Sequence, residues 1–358
     1  MSLAAIPYPA AIPPKGALRV LFSCVGRRVE LVTAFRAAAA RLHRPLIAHA
    51  TDRSWLAPAM HLVDRAHRSP PIDDPDYIPH LLRVVRREGI HLIVPLIDSD
   101  LMMLSLARPQ FAELNCTVLI SSPRVVAICR DKLLSYRHLT GAGIMTPQTW
   151  SLDEILAGRR ACFPLYIKPR AGSAARGHYV CDDRAELQVL ARRVTDPIFQ
   201  EFVDGDEYTM DAYAAFDGRP RCVVPRHRLE IRTGEVSKGR VVMDRQLIDI
   251  GRRVVESLAE CVGVITIQVI RGPDRRVRVI EINPRVGGGI PLSIAAGADF
   301  PRWILSTLAG KTPAIRPSAF QNGLHMLRYD SSVICPARRI RKPGGRLASA
   351  AGARRRRA

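Results

Sequence analysis

The stretch Arg276-Val277-Arg278-Val279-Ile280-Glu281-Ile282-Asn283-Pro284-Arg285 reads as a strand with polar residues where a buried strand should have none. An earlier run, Gly263-Val264-Ile265-Thr266-Ile267-Gln268-Val269-Ile270, has the same character, and Gly272-Pro273-Asp274 between them is a turn signal. The pair therefore predicts a hairpin. Side chains alternate faces along a strand, so Glu281 and Asn283 share one face, and a partner strand can present Gln268 to it. One carboxylate and two amides converging through oxygen suit Mg²⁺, a hard cation that commonly shares its coordination with substrate phosphates. A strand end that is simply reaching water reads the same way, so neighbouring segments must decide.

Two of those segments point to phosphate. Phe163-Pro164-Leu165-Tyr166-Ile167-Lys168-Pro169-Arg170 is a strand ending on a lysine, followed by Ala171-Gly172-Ser173-Ala174-Ala175-Arg176-Gly177 and a second strand. Small residues let backbone N–H groups approach phosphate oxygens, and Lys168 adds a charge. In Phe199-Gln200-Glu201-Phe202-Val203-Asp204-Gly205-Asp206-Glu207, the apolar edge suits a purine and the acids suit ribose hydroxyls; an ordinary hairpin with surface acids fits too. Arg226 to Arg240 is a basic strand entering a Gly-flanked loop, and Arg232 and Lys238 are its candidates for phosphate or carboxylate. An exposed basic turn is the alternative. Gly310-Lys311-Thr312 is not a phosphate loop, because Leu305 stands where its first glycine belongs.

The rest of the chain sets the class. Its 358 residues suffice for two or three cores, and 47% hydrophobic with 24% charged is ordinary for a globular protein. No run of ~18 apolar residues predicts a membrane span. The 8 cysteines form no CxxC pair, which argues against zinc or a disulfide framework and fits a reducing cytoplasm. The net charge of +21 invites a nucleic-acid reading, but the arginines scatter over helical segments or cluster in the tail. Interleaved aromatics for base stacking are lacking.

Strand and helix alternate from Leu18 to Ser121, which predicts a parallel sheet covered on both faces. Gly26-Arg27-Arg28, Asp52 and Asp98-Ser99-Asp100 fall at strand C-termini, where such sheets bind ligands. Asp52 and Ser99 serve equally well as helix caps. From Val125 the pattern changes to antiparallel strands with intervening helices. A single helix is expected over Val125 to Thr140, and a long amphipathic one over Arg245 to Val262. The fold class is thus α/β followed by α+β.

In this order the segments resemble the ATP-grasp superfamily, and within it stand-alone proteins similar to the carbamoyl-phosphate synthase large subunit. The likeness runs from about Leu18 to Tyr329 and rests on Arg130-Asp131-Lys132, Lys168-Pro169-Arg170, Gln200 to Val203, Gly234 to Gly239, Gln268, Glu281 to Arg285 and Gly287 to Gly289. The Ala- and Pro-rich composition of 1–16 predicts a loose, disordered tail, and the resemblance implies a parallel α/β (pre-ATP-grasp) domain over 17–124 and a two-lobed ATP-grasp domain over 125–335. The smaller ATP lobe takes 125–200 and the metal-binding lobe 201–335; 336–358 is an Arg-rich tail, expected to be disordered. The resemblance implies that Lys132, Lys168, Gly172, Ser173 and Gly177 bind ATP phosphates. Glu201, Phe202 and Val203 line the adenine hinge, and Glu207 holds the ribose. Gln268, Glu281 and Asn283 hold Mg²⁺, with two ions expected and Mn²⁺ as a substitute. Arg285, Lys238 and Arg232 act on the reacting groups. Ala174-Ala175-Arg176 departs from the family, whose members often carry more Gly or Ser there.

The implied activity is ADP-forming ligation of a carboxylate to an amine or other nucleophile through an acyl phosphate. The alternative is a catalytically silent ATP-binding protein, or a basic nucleic-acid-associated one, on the same fold. The small substrates are not legible, and a homodimer is one option for the oligomer.

Overall fold

The computed structural model describes residues 12–13, 15–157, 162–172, 177–337 and 340. Strands β1 (Leu18–Ser23), β2 (Leu46–Asp52), β3 (Arg65–Arg68), β4 (Leu92–Pro95) and β5 (Thr117–Val118) form a parallel sheet in the order β3-β2-β1-β4-β5. Alternation along β1 sends Val20 and Phe22 to a core shared with helix Val29–Arg41, and Leu21 to one shared with helix Tyr77–Glu88. Both faces are therefore buried, which explains the near-continuous apolar runs. The chain order reverses between β1 and β4, so the crevice at their C-terminal ends is where such a sheet receives a ligand.

A smaller lobe follows. Strands β6 (Thr149–Ser151), β7 (Leu165–Pro169), β8 (Tyr179–Cys181) and β9 (Pro197–Glu201) make an antiparallel sheet ordered β6-β9-β7-β8. Its core is Trp150, Leu165, Ile167, Cys181, Val194 and Phe199. The larger sheet, ordered β14-β13-β10-β11-β12-β15, contains β10 (Asp206–Ala214), β11 (Pro220–Arg232), β12 (Glu235–Val241), β13 (Gly263–Arg271), β14 (Val277–Asn283) and β15 (His325–Leu327). Helix Arg245–Leu258 lays Leu247, Val254, Val255 and Leu258 on its back. Gly251 permits that approach, since a Cβ there would sit 2.7 Å from Val223 Cγ1.

Three expectations are corrected. The helix expected over Val125 to Thr140 is two, Pro123–Arg130 and Lys132–Gly141. Asp131 is extended between them and accepts from Leu133 and Leu134 N–H, so it caps the second helix and starts it on Lys132. The helix after Asp244 stops at Leu258, because Ala259 and Glu260 have positive φ. In the segment expected to be a loose tail, Ile12 is buried in the first core and its N–H bonds Leu308 O at 3.0 Å. Residues 1–11 and 14, and the Arg-rich tail at 338–339 and 341–358, lie outside the described residues.

Helices Ile290–Ala295 and Phe300–Leu308 contribute to the same core as β1 and helix Val29–Arg41. The last helices therefore tie the larger lobe to the first sheet. Among the described residues no helix is long and apolar enough to cross a membrane, and all eight cysteines are free.

Candidate active site

The predicted hairpin forms. Gln268 pairs with Glu281 and Thr266 with Asn283, so these four residues sit side by side on one face of β13 and β14. They wall a cleft of about 850 Å³ between the larger sheet, the smaller lobe and the C-terminal ends of β1 and β4. In the amide orientation that satisfies both neighbours, Gln268 donates to Glu281 Oε2 at 3.0 Å and accepts from Arg228 Nη1 at 3.2 Å. No cationic side chain among the described residues lies within ion-pair distance of Glu281. In that orientation the Gln268 amide nitrogen faces Glu281; turned over, its oxygen would join the Glu281 carboxylate and the neighbouring Asn283 amide in a donor set that fits a hard divalent cation.

Two lysines face this wall. Lys168, at the end of β7, is buried, and burial lowers its ammonium to about 8; Glu281 opposes that shift and Lys132 adds to it. Lys132 is also buried, and its Nζ donates to Gly172 O at 3.2 Å. This is how Gly172 joins the site. Gly177, with φ +71°, packs against Pro169 instead. Ser173, with Ala174, Ala175 and Arg176, lies outside the described residues. His178 was missed by the sequence reading. It lines the cleft with its Nδ1 3.1 Å from Tyr166 Oη, and burial, then Lys168 and Lys132, press its imidazole down to about 4.

Glu201, Phe202 and Val203, expected at an adenine hinge, also line the cleft. Glu201 is engaged with Gln148, whose N–H bonds Glu201 Oε2 at 3.2 Å. Its own N–H bonds Gln148 O at 2.8 Å. Glu207 is paired with Arg228, Nε to Oε1 at 3.2 Å. Burial raises the Glu207 carboxyl, Arg228 lowers it and Glu281 raises it further.

Arg285 reaches across from the end of β14 to the first domain, where its Nη2 meets Asp98 Oδ2 at 2.6 Å and Asn283 Oδ1 at 3.4 Å. The other two expected catalytic cations are not in the cleft. Lys238 points outward to Glu230 at 2.6 Å, and Arg232 is exposed beside Asp330 at 3.3 Å. The reason is the length of β11. It runs on past the start of β10, whose last partner on that side is His227, and register shifts follow Arg228. Leu229 to Arg232 therefore pair with β12 alone and face solvent.

The same basic strand supplies the residues that were missed. Arg226 is buried, with Nε and Nη2 on Asp211 at 2.8 and 3.0 Å, and Ser293 Oγ completes that carboxylate at 2.6 Å. Arg228 touches Glu207, Thr209 and Gly234 O as well as Gln268. At the far end Glu235 gathers Arg27, Arg28 and Arg328. Burial alone would raise the Glu235 carboxyl; Arg28, Arg27 and Arg328 overcome that and hold it below the usual carboxylate range.

Of the strand-end candidates in the first domain, Arg27, Arg28, Asp98 and Ser99 line the cleft. Asp52 instead fixes loops, accepting from Gly26 and Ser54 N–H, both at 2.9 Å. Asp100 lies beneath the cleft, bonded by Tyr77 at 2.8 Å and Ser23 at 3.1 Å, and burial raises its carboxyl to about 6.

A cleft with these features, hung between a parallel sheet and two antiparallel lobes, defines a class, and the comparisons agree. Residues 193–331 match the family described as ATP-grasp in the biosynthetic pathway with Ter operon, and residues 20–119 match the family described as PylC-like, N-terminal domain. The chain is thus similar to ATP-grasp proteins over its C-terminal part and to PylC-like proteins over its first domain. Among curated proteins, a D-alanine–D-alanine ligase of Marinomonas sp. is 30% identical over 122 residues, covering 30% of this chain and 38% of the relative. The curated relatives are matched over only 25 to 38% of their own length. Among solved structures, the biotin carboxylase domain of Hydrogenobacter thermophilus 2-oxoglutarate carboxylase, a dimer with MgADP, ADP and bicarbonate, superposes with TM-score 0.68 at 16% identity, over 86% of this chain and 73% of that one. The L-amino acid ligase of Bacillus licheniformis gives TM-score 0.65 at 20% identity, over 85% and 78%. At such identities these likenesses establish the fold.

Proposed function

We propose that the protein is an ADP-forming ligase that activates a carboxylate with ATP and joins it to an amine or other nucleophile. The observation that carries this reading is the meeting of Lys132 and Lys168 with Gln268, Glu281 and Asn283 across one cleft, with Arg285 at its edge. The lysines supply charge for the phosphates of ATP, and the backbone of Glu201 to Val203 supplies an edge for adenine. Gln268, Glu281 and Asn283 would hold Mg²⁺. Bound there, the ion would neutralise phosphate charge during transfer.

In the first step a carboxylate oxygen forms a bond to the γ-phosphorus and the bond to ADP breaks, leaving an acyl phosphate. In the second the nucleophile's lone pair adds to the acyl carbon and phosphate leaves; an amine releases one proton. The chain's contribution is positioning and charge. Asp98 fixes the Arg285 guanidinium beside Asn283, ready for an oxyanion. Water must be kept out while the acyl phosphate lives.

The likeness to the carbamoyl-phosphate synthase large subunit belongs to this reading, resting on the ordered set of segments from Arg130 to Gly289. Two ions, with Mn²⁺ able to replace Mg²⁺, also belong to it, as do a reducing cytoplasm and a homodimer like the biotin carboxylase domain's. The decisive experiment is an ADP-release screen over amino acids, small acids and sugar acids with Mg²⁺. Once a substrate is found, Glu281→Gln is expected to lower kcat by about two orders of magnitude or more and to weaken the Mg²⁺ titration. A fully active variant with an unchanged titration would overturn the metal assignment.

A further inference from the structure

Away from the lysines, three arginines share one carboxylate. Glu235, the first residue of β12, meets Arg27 Nη2 at 2.8 Å, Arg28 Nη2 at 3.2 Å and Arg328 Nη1 at 3.0 Å. The nearest other acid, Glu30, is 4.0 Å from Arg328 and mostly exposed. One carboxylate cannot balance three guanidiniums, so this end of the cleft keeps an excess of positive charge.

The floor beneath is Gly287-Gly288-Gly289. A Cβ on Gly287 would lie 2.7 Å from Thr266 Oγ1, beside Asn283. One on Gly288 would lie 2.5 Å from Arg28 Nη1 and 2.9 Å from the Glu235 carboxyl carbon, and one on Gly289 would overlap Arg226 Nη1. The glycines thus run from the metal wall to the arginines, and their missing side chains leave the guanidiniums against bare backbone. Arg226 is only 1% exposed, and its Nη1 is buried with no hydrogen-bond partner among the described residues. A buried donor left open beside a built cationic floor is a place for an acceptor from a ligand.

We propose that this end of the cleft recognises a second carboxylate, distinct from the one activated, so that the substrate is a dicarboxylic acid or an acidic amino acid. Glu235 holds the place of that group and yields Arg28 and Arg328 to it. The inference rests on the ligase reading for where the first carboxyl lies, across the glycines beside Arg285. Carboxylate is favoured because the arginines already close on one.

The test is calorimetric titration of the full chain with succinate, glutarate, butyrate and inorganic phosphate, with and without MgADP. A dicarboxylate should bind at least about tenfold tighter than butyrate, as expected for a charge-assisted pair. Glu235→Gln should tighten dicarboxylate binding severalfold by removing the competitor. Arg28→Gln should erase the preference over butyrate. Should that variant melt early by circular dichroism, Arg328→Gln and Glu235→Gln carry the same test. Equal binding of butyrate, a preference for phosphate, or a dicarboxylate preference that survives Arg28→Gln or Arg328→Gln each overturns the proposal. The ADP titration reads the other site separately. Absent ADP binding counts against the ligase reading, while intact ADP binding without a dicarboxylate preference counts against this one.

Discussion

The two halves of β11 carry similar residues to opposite ends. Arg226 lies where β10 and β12 flank the strand; Arg228, one residue past the last β10 pair, folds its side chain back onto Glu207 and Thr209 of β10, and both are drawn into the cleft. Arg232 lies on the arm that has outrun β10, and its partner Asp330 is exposed like itself. Lys238, across the hairpin, is likewise satisfied by a surface acid. A strand flanked on both sides fixes a guanidinium by packing and takes it out of water, which makes its charge count. A two-stranded arm does neither, so its charges are screened. Cation content alone therefore does not find a site; lateral neighbours in the sheet do.

The strongest way to break this comparison is Arg226→Met. It leaves Asp211 buried without its counter-ion, and a loss of ~3–5 kcal/mol is expected in urea denaturation. A near-wild-type stability would mean that the inner half is not held by this pair. Next comes Arg228→Gln, which leaves Glu207 unpaired in the cleft. A fall of ~10–100-fold in kcat/KM is expected with little change in melting temperature, read from ADP release.

Lys168 sharpens the same point with pH. Burial depresses its ammonium to about 8, so in the free protein that charge is about half lost near pH 8, well below an exposed lysine. Phosphate favours the charged form. ATP binding above pH 8 should therefore take up a proton, and affinity should weaken as pH rises from 8 to 10. Titrations in buffers of different ionisation heat measure the uptake, and Lys168→Met should remove it. The smallest effect belongs to the arm. Arg232→Ala and Lys238→Ala should keep KM and kcat within about twofold of wild type, as expected for exposed pairs. A larger loss in either would restore that residue to the site.

Much of the architecture was legible. Alternating strand and helix predicts the parallel sheet, and the spacing of Gln268, Glu281 and Asn283 about a Pro-Asp turn predicts their shared face. The break at Asp131 was not read, although a capping residue followed by a basic start was its signal. His178 was missed because a lone histidine after a small-residue loop has no periodicity to betray it. Glu201 and Glu207 were found, but not that Gln148 and Arg228 already engage them, since those contacts join segments far apart in sequence.

The sequence by itself determined the elements, the order of the two kinds of sheet and the polar face of β13 and β14, because these follow from local periodicity and turn chemistry. Only the tertiary structure decided which cations enter the cleft. That depends on where β10 ends beside β11, and on Arg27, Arg28 and Arg328 converging on Glu235 from opposite ends of the chain. Burial and charge pairing are properties of the assembled neighbourhood, and no window of sequence contains them.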